Sequence, residues 1–95
     1  KIIVIAIGGS IIFPDVIDWK FLLSFRKFLL PRLRNSRFIL VAGGGYLARV
    51  YQEAAGKVVS PTDDDKDWLG IYATRSNAHL LRTIFRDVAD PVVVD

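Results

Sequence analysis

Phe38-Ile-Leu-Val-Ala-Gly-Gly-Gly-Tyr-Leu-Ala-Arg49 is the stretch on which the reading of the whole chain turns. Phe38–Ala42 is an apolar run of strand length. Three glycines follow, and a helical pattern opens at Tyr46 or Leu47 with Arg49 in its first turn. A strand, a glycine turn and a helix start are the parts with which a backbone grips a phosphate. The first helical N–H groups lack partners, and the aligned peptide dipoles leave that end positive. Glycine lets the backbone approach a ligand and take φ > 0 without a steric cost. Arg49 adds a forked donor that stays charged. The competing reading is a tight turn that merely needs glycine, with no ligand.

Outward from this stretch, the same arrangement recurs. Lys1–Ile7 is a continuous, largely β-branched run, which predicts a strand covered on both faces in a parallel sheet. Gly8-Gly-Ser10 follows directly, a glycine turn at the carboxyl end of a strand, where open α/β sheets bind their ligands. Ile11–Pro14 reads as a short connector. Asp18 is an N-cap for a helix over Trp19–Leu30, which Pro31 ends. Its apolar residues cover more than one stripe, so it is either buried on two sides or part of a subunit interface. Arg32–Arg37 reads as a solvated basic turn. Leu47–Ala55 forms the second helix, with Leu47, Val50, Tyr51 and Ala54 inward and Gly56 as its C-cap. Lys57–Lys66 is a polar loop. Its run Asp63–Asp65 caps the following helix and complements its dipole, a better reading than a metal site, for which adjacent carboxylates are a weak signal.

Asp67–Val88 predicts a long helix whose faces separate. Arg75, His79, Arg82 and Arg86 form one polar stripe, with His79 a surface residue. Asp67, Gly70, Thr74 and Asn77 form another, which continues into apolar Leu81 and Phe85. The first half of an inward face is thus small and polar. An interior glycine costs a helix about 1 kcal/mol relative to alanine. Such a face is expected where a sugar or base packs against it; the competing reading is a close helix contact with Gly70 as the notch. Strands alternating with helices predict an α/β fold with a parallel sheet and right-handed crossovers.

Composition narrows the classes. Ninety-five residues make at most one domain, and 52% of them are hydrophobic, an excess that predicts contact with further chain or other subunits. No apolar run reaches the roughly 18 residues of a membrane span. The absence of cysteine excludes a disulfide framework and thiolate metal sites. A net charge of +3, without a basic stripe interleaved with aromatics, suits a small anionic ligand and argues against nucleic acid. The apolar Pro91–Asp95 strand directly after a long helix predicts a chain cut at a crossover, a fragment of a larger domain.

Three blocks carry a resemblance. Ile7-Gly-Gly-Ser10, Val41-Ala-Gly-Gly-Gly45 with Ala48-Arg49, and Asp67-Trp-Leu-Gly-Ile-Tyr-Ala-Thr-Arg-Ser-Asn-Ala78 resemble, in order and spacing, the amino-acid kinase superfamily. Within it they are most similar to the uridylate (UMP) kinases, and the forms Ile-Gly-Gly-Ser and Thr74-Arg75-Ser76-Asn77-Ala78 to their archaeal branch. The glycine blocks alone fit acetylglutamate, aspartate or isopentenyl phosphate kinases as well; the third block is the specific one.

The resemblance implies a three-layer parallel-sheet sandwich, of which residues 1–95 form the incomplete N-terminal half that binds the nucleoside monophosphate. It implies transfer of the ATP γ-phosphoryl group to UMP, giving UDP and ADP, in pyrimidine nucleotide biosynthesis in the cytoplasm, with Mg²⁺, by a homo-oligomer of hexameric type. Gly9 and Ser10 would lie along the ATP phosphates, and Gly44 beside the UMP phosphate. Gly45 and Arg49 would face the transferring group, with Arg49 catalytic. Asp67 would hold the UMP ribose or base edge, with Gly70 and Thr74 shaping that pocket, and no residue of this half would ligate the metal. One departure stands out: many members carry a phosphate-binding lysine where this chain has Ala6. Another phosphotransferase of the superfamily and a non-catalytic nucleotide-binding module are the alternatives, the second favoured by Ala6.

Overall fold

Ile2–Ile7 (β1), Arg37–Ala42 (β2) and Val92–Val94 (β3) form a parallel sheet in the order β1-β2-β3 in a computed structural model that describes residues 1–95. The β1–β2 register runs from Ile2 opposite Arg37 to Ile7 opposite Ala42, and β2 pairs with β3 from Ile39 opposite Val92 to Val41 opposite Val94. Four helices make the connections: Gly9–Ile12 (α1), Trp19–Leu29 (α2), Gly45–Val58 (α3) and Asp63–Ile84 (α4). Ile11 and Ile12, expected in a connector, thus belong to a short helix that begins at the first glycine turn.

Both crossovers advance the sheet in the same direction. Right-handed crossovers then place every connecting helix on one face. That face is the core. Ile3, Ile5 and Ile7 of β1, Phe38, Leu40 and Ala42 of β2 and Val93 pack with Leu22 and Leu29 of α2 and with Ala78, Leu81 and Phe85. The opposite face, Ile2, Val4 and Ala6 with Ile39, Val41, Val92 and Val94, carries no helix; Ile2 is 64% and Val4 62% exposed. The strands are therefore not covered on both sides, as their continuous apolarity predicts. The described architecture is α/β with two layers.

Local chemistry accounts for most element ends. The Asp18 side chain accepts from the Phe21 amide at 3.0 Å and caps α2, and Pro31 turns its end into a 3₁₀ helix over Leu30–Arg34. Thr62 and Asp65 form a reciprocal capping box at the start of α4, with bonds of 3.1 and 3.0 Å. The three aspartates are thus the first turn of α4, which begins four residues before the predicted Asp67 and ends at Ile84 rather than Val88. Gly56 does not cap α3: the helix runs through it to Val58, and the Val59 amide closes the end on the Ala55 carbonyl. Nor does α3 bury any residue; Val50, Tyr51 and Ala54, predicted inward, are exposed, because α3 packs along α4 and α1 rather than on the sheet. Trp19, Leu23 and Phe28 of α2 remain exposed.

One ion pair ties the helical layer together. Arg26 of α2 holds Asp87 with two hydrogen bonds of 2.9 and 2.8 Å, donates to the Ile84 carbonyl, and lies against the Phe85 ring. Hydrogen bonding to Arg26 lowers the Asp87 pKa below its ordinary value, and the same bond raises that of Arg26. On the other flank, Arg82 donates to the Val93 carbonyl at 3.0 Å and, with Arg75, pairs with Asp95 at the end of β3. No helix is long and apolar enough to cross a membrane.

Candidate functional site

The two glycine turns follow β1 and β2, which are neighbours and parallel, so both turns emerge at the same carboxyl edge of the sheet. There they meet backbone to backbone. A Cβ on Gly9 would come within 2.5 Å of the Gly44 carbonyl carbon and the Gly45 nitrogen. A Cβ on Gly45 would strike the Ser10 nitrogen and lie 2.5 Å from the Gly9 carbonyl carbon; Gly45 also has φ +51°, the left-handed region that side chains avoid. Gly9 is itself buried. These two glycines are thus explained by each other, which the sequence reading did not foresee.

Arg49, one turn into α3, closes the junction from outside. Its Nη2 donates to Ser10 Oγ at 3.3 Å, and its guanidinium stands 5.8 Å from the centre of the Tyr46 ring. Tyr46 stacks in turn on Phe13, with ring centres 5.9 Å apart. Gly9, Ser10, Gly45 and Arg49 are thereby assembled into one corner. The Phe13–Tyr46 pair beside them was missed; the only signal in the sequence is that Tyr46 immediately follows the three glycines.

The third block reaches the same corner from α4. A Cβ on Gly44 would meet Thr74 Oγ1 at 3.1 Å and the Gly70 carbonyl at 3.2 Å, so Gly44, Gly70 and Thr74 are also brought together. At Gly70 a Cβ would make only an ordinary contact, 3.7 Å from Gln52 Nε2; helix packing does not demand glycine there. Gln52 donates to the Lys66 carbonyl and ties α3 to α4 beside it. Asp67 is exposed one turn further out, with no hydrogen bond or ion pair. Asn77 does not face a ligand-sized space: it is 3% exposed, and its Nδ2 donates to the Gly43 carbonyl at 2.8 Å. The polar stripe is therefore two things, an anchor for the glycine turn at its inner end and an open small-residue surface at its outer end.

Chemically the corner offers backbone amides, a hydroxyl, a guanidinium and the positive end of a 14-residue helix. This donor set suits phosphate oxygens. No group of three His, Asp or Glu side chains is placed to hold a metal ion. Ala6 lies on the open sheet face opposite Val41, and Arg49 is the cation at the junction.

Fold and corner define a class: a parallel α/β protein whose first two strands end in abutting glycine turns, one of them opening a long helix. The chain is 41% identical over 92 residues to the uridylate kinase of Thermococcus sibiricus, 38% identical over 92 residues to that of Pyrococcus abyssi, and 38% identical over 91 residues to that of Thermoplasma volcanium. These alignments take in 96–97% of the chain and 39–40% of each relative, so it spans about two-fifths of the length of the curated relatives it matches. No protein-family model matches it. The chain is a relative of the archaeal uridylate kinases, as its three motif blocks implied.

Proposed function

We propose that residues 1–95 form the N-terminal, acceptor-side part of a UMP kinase, incomplete as a domain, which transfers the γ-phosphoryl group of ATP to the phosphate of UMP. An oxygen of the UMP phosphate forms a bond to the γ-phosphorus as the bond to the β,γ-bridging oxygen breaks, giving UDP and ADP. Gly9 and Ser10 line the ATP phosphates, Gly44 the UMP phosphate, and Gly45 and Arg49 the group in transit. Gly70 and Thr74 shape the nucleoside pocket, with Asp67 at its rim. Such a transfer asks the protein for positioning and charge neutralisation more than for covalent help. The observation that supports the reading is the contact of the two glycine turns with Arg49 bridging to Ser10, which sets side by side the two turns that the reading gives to the phosphates. Mg²⁺ would accompany the ATP phosphates. In the same reading, further chain covers the open sheet face and completes a three-layer sandwich, and the enzyme is a cytoplasmic homo-oligomer, of hexameric type, whose interface draws on the exposed apolar residues of α2.

The test is phosphoryl transfer by the full-length gene product to UMP, CMP and isopentenyl phosphate. Turnover with UMP far above the other two is expected, and no turnover of UMP above background refutes the reading. Arg49→Ala is expected to lower kcat/KM by about tenfold or more, through lost charge stabilisation in the transition state. A neutral outcome removes Arg49 from the site.

A further inference from the structure

Asn77 is the one buried polar side chain of the molecule, and its place is unusual. It sits on α4, inside the core layer, among Ala73, Ala78 and Leu81. From there it reaches across 34 positions of sequence to a single backbone atom, the Gly43 carbonyl oxygen. That oxygen accepts no other hydrogen bond. An apolar side chain would fill the same space without the desolvation cost of a buried amide. The polar choice therefore has to be read from what the bond does to Gly43.

In a trans peptide the C=O and the following N–H point in opposite directions. Holding the Gly43 oxygen toward the core thus aims the Gly44 N–H the other way, out of the core at the carboxyl edge of the sheet. This amide finds no acceptor anywhere in the protein. Gly43, Gly44 and Gly45 have no side chains, so no side chain of the turn itself restrains rotation of that peptide plane, and the Asn77 bond is the one hydrogen bond that holds its oxygen. If it turned over, a carbonyl oxygen would replace an amide at the point where an anion is to bind, and attraction would become repulsion.

We propose that Asn77 is a positioning residue for the acceptor phosphate. It fixes the Gly43–Gly44 peptide so that the Gly44 amide is presented to the phosphate of UMP. This rests on the UMP kinase reading above, and adds to it a residue of the long helix that never touches the substrate. Thr74 Oγ1 and the Gly70 carbonyl, packed against the Gly44 α-carbon, limit the same turn from its other side.

Asn77→Asp tests the idea, because it keeps the shape and removes the donor. The full-length gene product is titrated with UMP by calorimetry and assayed for both substrates. At pH 8 the variant is expected to bind UMP about tenfold more weakly, the loss of one charge-assisted hydrogen bond. The KM for ATP should change less than about twofold. The defect should shrink relative to the unaltered protein as pH falls toward 5, because a protonated carboxyl donates to the carbonyl again. A purely structural role would lower the active fraction, and with it kcat, at unchanged KM for UMP, and that result overturns the proposal. So does equal UMP affinity in the two proteins. Independently of any variant, the ¹⁵N-glycine spectrum of the unaltered protein should show the Gly44 amide moving on addition of UMP. A Gly44 resonance that stays in place at saturating UMP overturns the proposal while leaving the kinase reading intact. Failure of the unaltered protein to bind UMP at all overturns both.

Discussion

The abutment of the two glycine turns can be tested by adding one methyl group. In Gly45→Ala the new Cβ would meet the Ser10 nitrogen and lie 2.5 Å from the Gly9 carbonyl carbon, backbone atoms that cannot rotate away. The position also has φ +51°. A left-handed conformation costs a non-glycine residue roughly 1–2 kcal/mol. Forcing a methyl group into a filled contact adds about 1–3 kcal/mol. Together the loss is about 2–5 kcal/mol, a large share of the about 5–15 kcal/mol that holds a typical domain. Gly9→Ala lacks the backbone strain and is expected to cost about 1–3 kcal/mol. Once one methyl has pushed the turns apart, the second meets less resistance, so the double variant should cost less than the sum, by about 0.5–3 kcal/mol. Gly56→Ala is the control. It lies in the same helix as Gly45, with no atom within 4 Å of the added Cβ, and is expected to stabilise by about 0.5–1 kcal/mol. Urea unfolding of the four variants beside the unaltered protein reads all of these. Strict additivity of Gly9→Ala and Gly45→Ala, or a Gly45→Ala effect as mild as Gly56→Ala, refutes the abutment.

Two further expectations concern the scaffold. Asp87 has its pKa lowered in the folded state, chiefly by the hydrogen bond from Arg26. A lowered carboxylate stabilises the fold fully above its unfolded value, about 3.9, and loses that contribution as pH falls through the folded value. The stability difference between the unaltered protein and Asp87→Asn should therefore be present at pH 7 and fade below about pH 3.9; a difference independent of pH excludes the ion pair as its source. Thr62→Ala removes the capping box of α4 and should cost about 1 kcal/mol in urea unfolding, with no change showing that the box does not hold the helix.

Much of the corner was legible in the chain itself. Although the Arg49 helix opens at Gly45 rather than at Tyr46 or Leu47, it follows the glycines as expected and the strand of Phe38–Ala42 lies where its pattern placed it, because each is a relation between near neighbours in sequence. Asp18 as a cap was readable for the same reason. The outer limits of the helices were less so. Gly56 has the residue type of a helix end, yet its cost of about 1 kcal/mol is small enough for the helix to run through it. Asp63–Asp65 were recognised as capping residues, but placing them before the helix rather than in its first turn shortened α4 at its start.

What the sequence alone determined is the order of the strands and of the three longer helices, and the residue types gathered at the two turns. Tertiary structure decided what those residues meet. Gly9 and Gly45, 36 positions apart, face each other because β1 and β2 are neighbours in register, a relation that no local pattern encodes. Asn77 reads as part of a ligand wall until α4 is docked on the sheet, where its amide reaches the Gly43 carbonyl instead. The open sheet face follows from the direction of both crossovers, whereas the apolar pattern of β1 records only that its side chains avoid water. Periodicity in a chain specifies which side of an element is apolar; only the packing of elements supplies the atom on the other side.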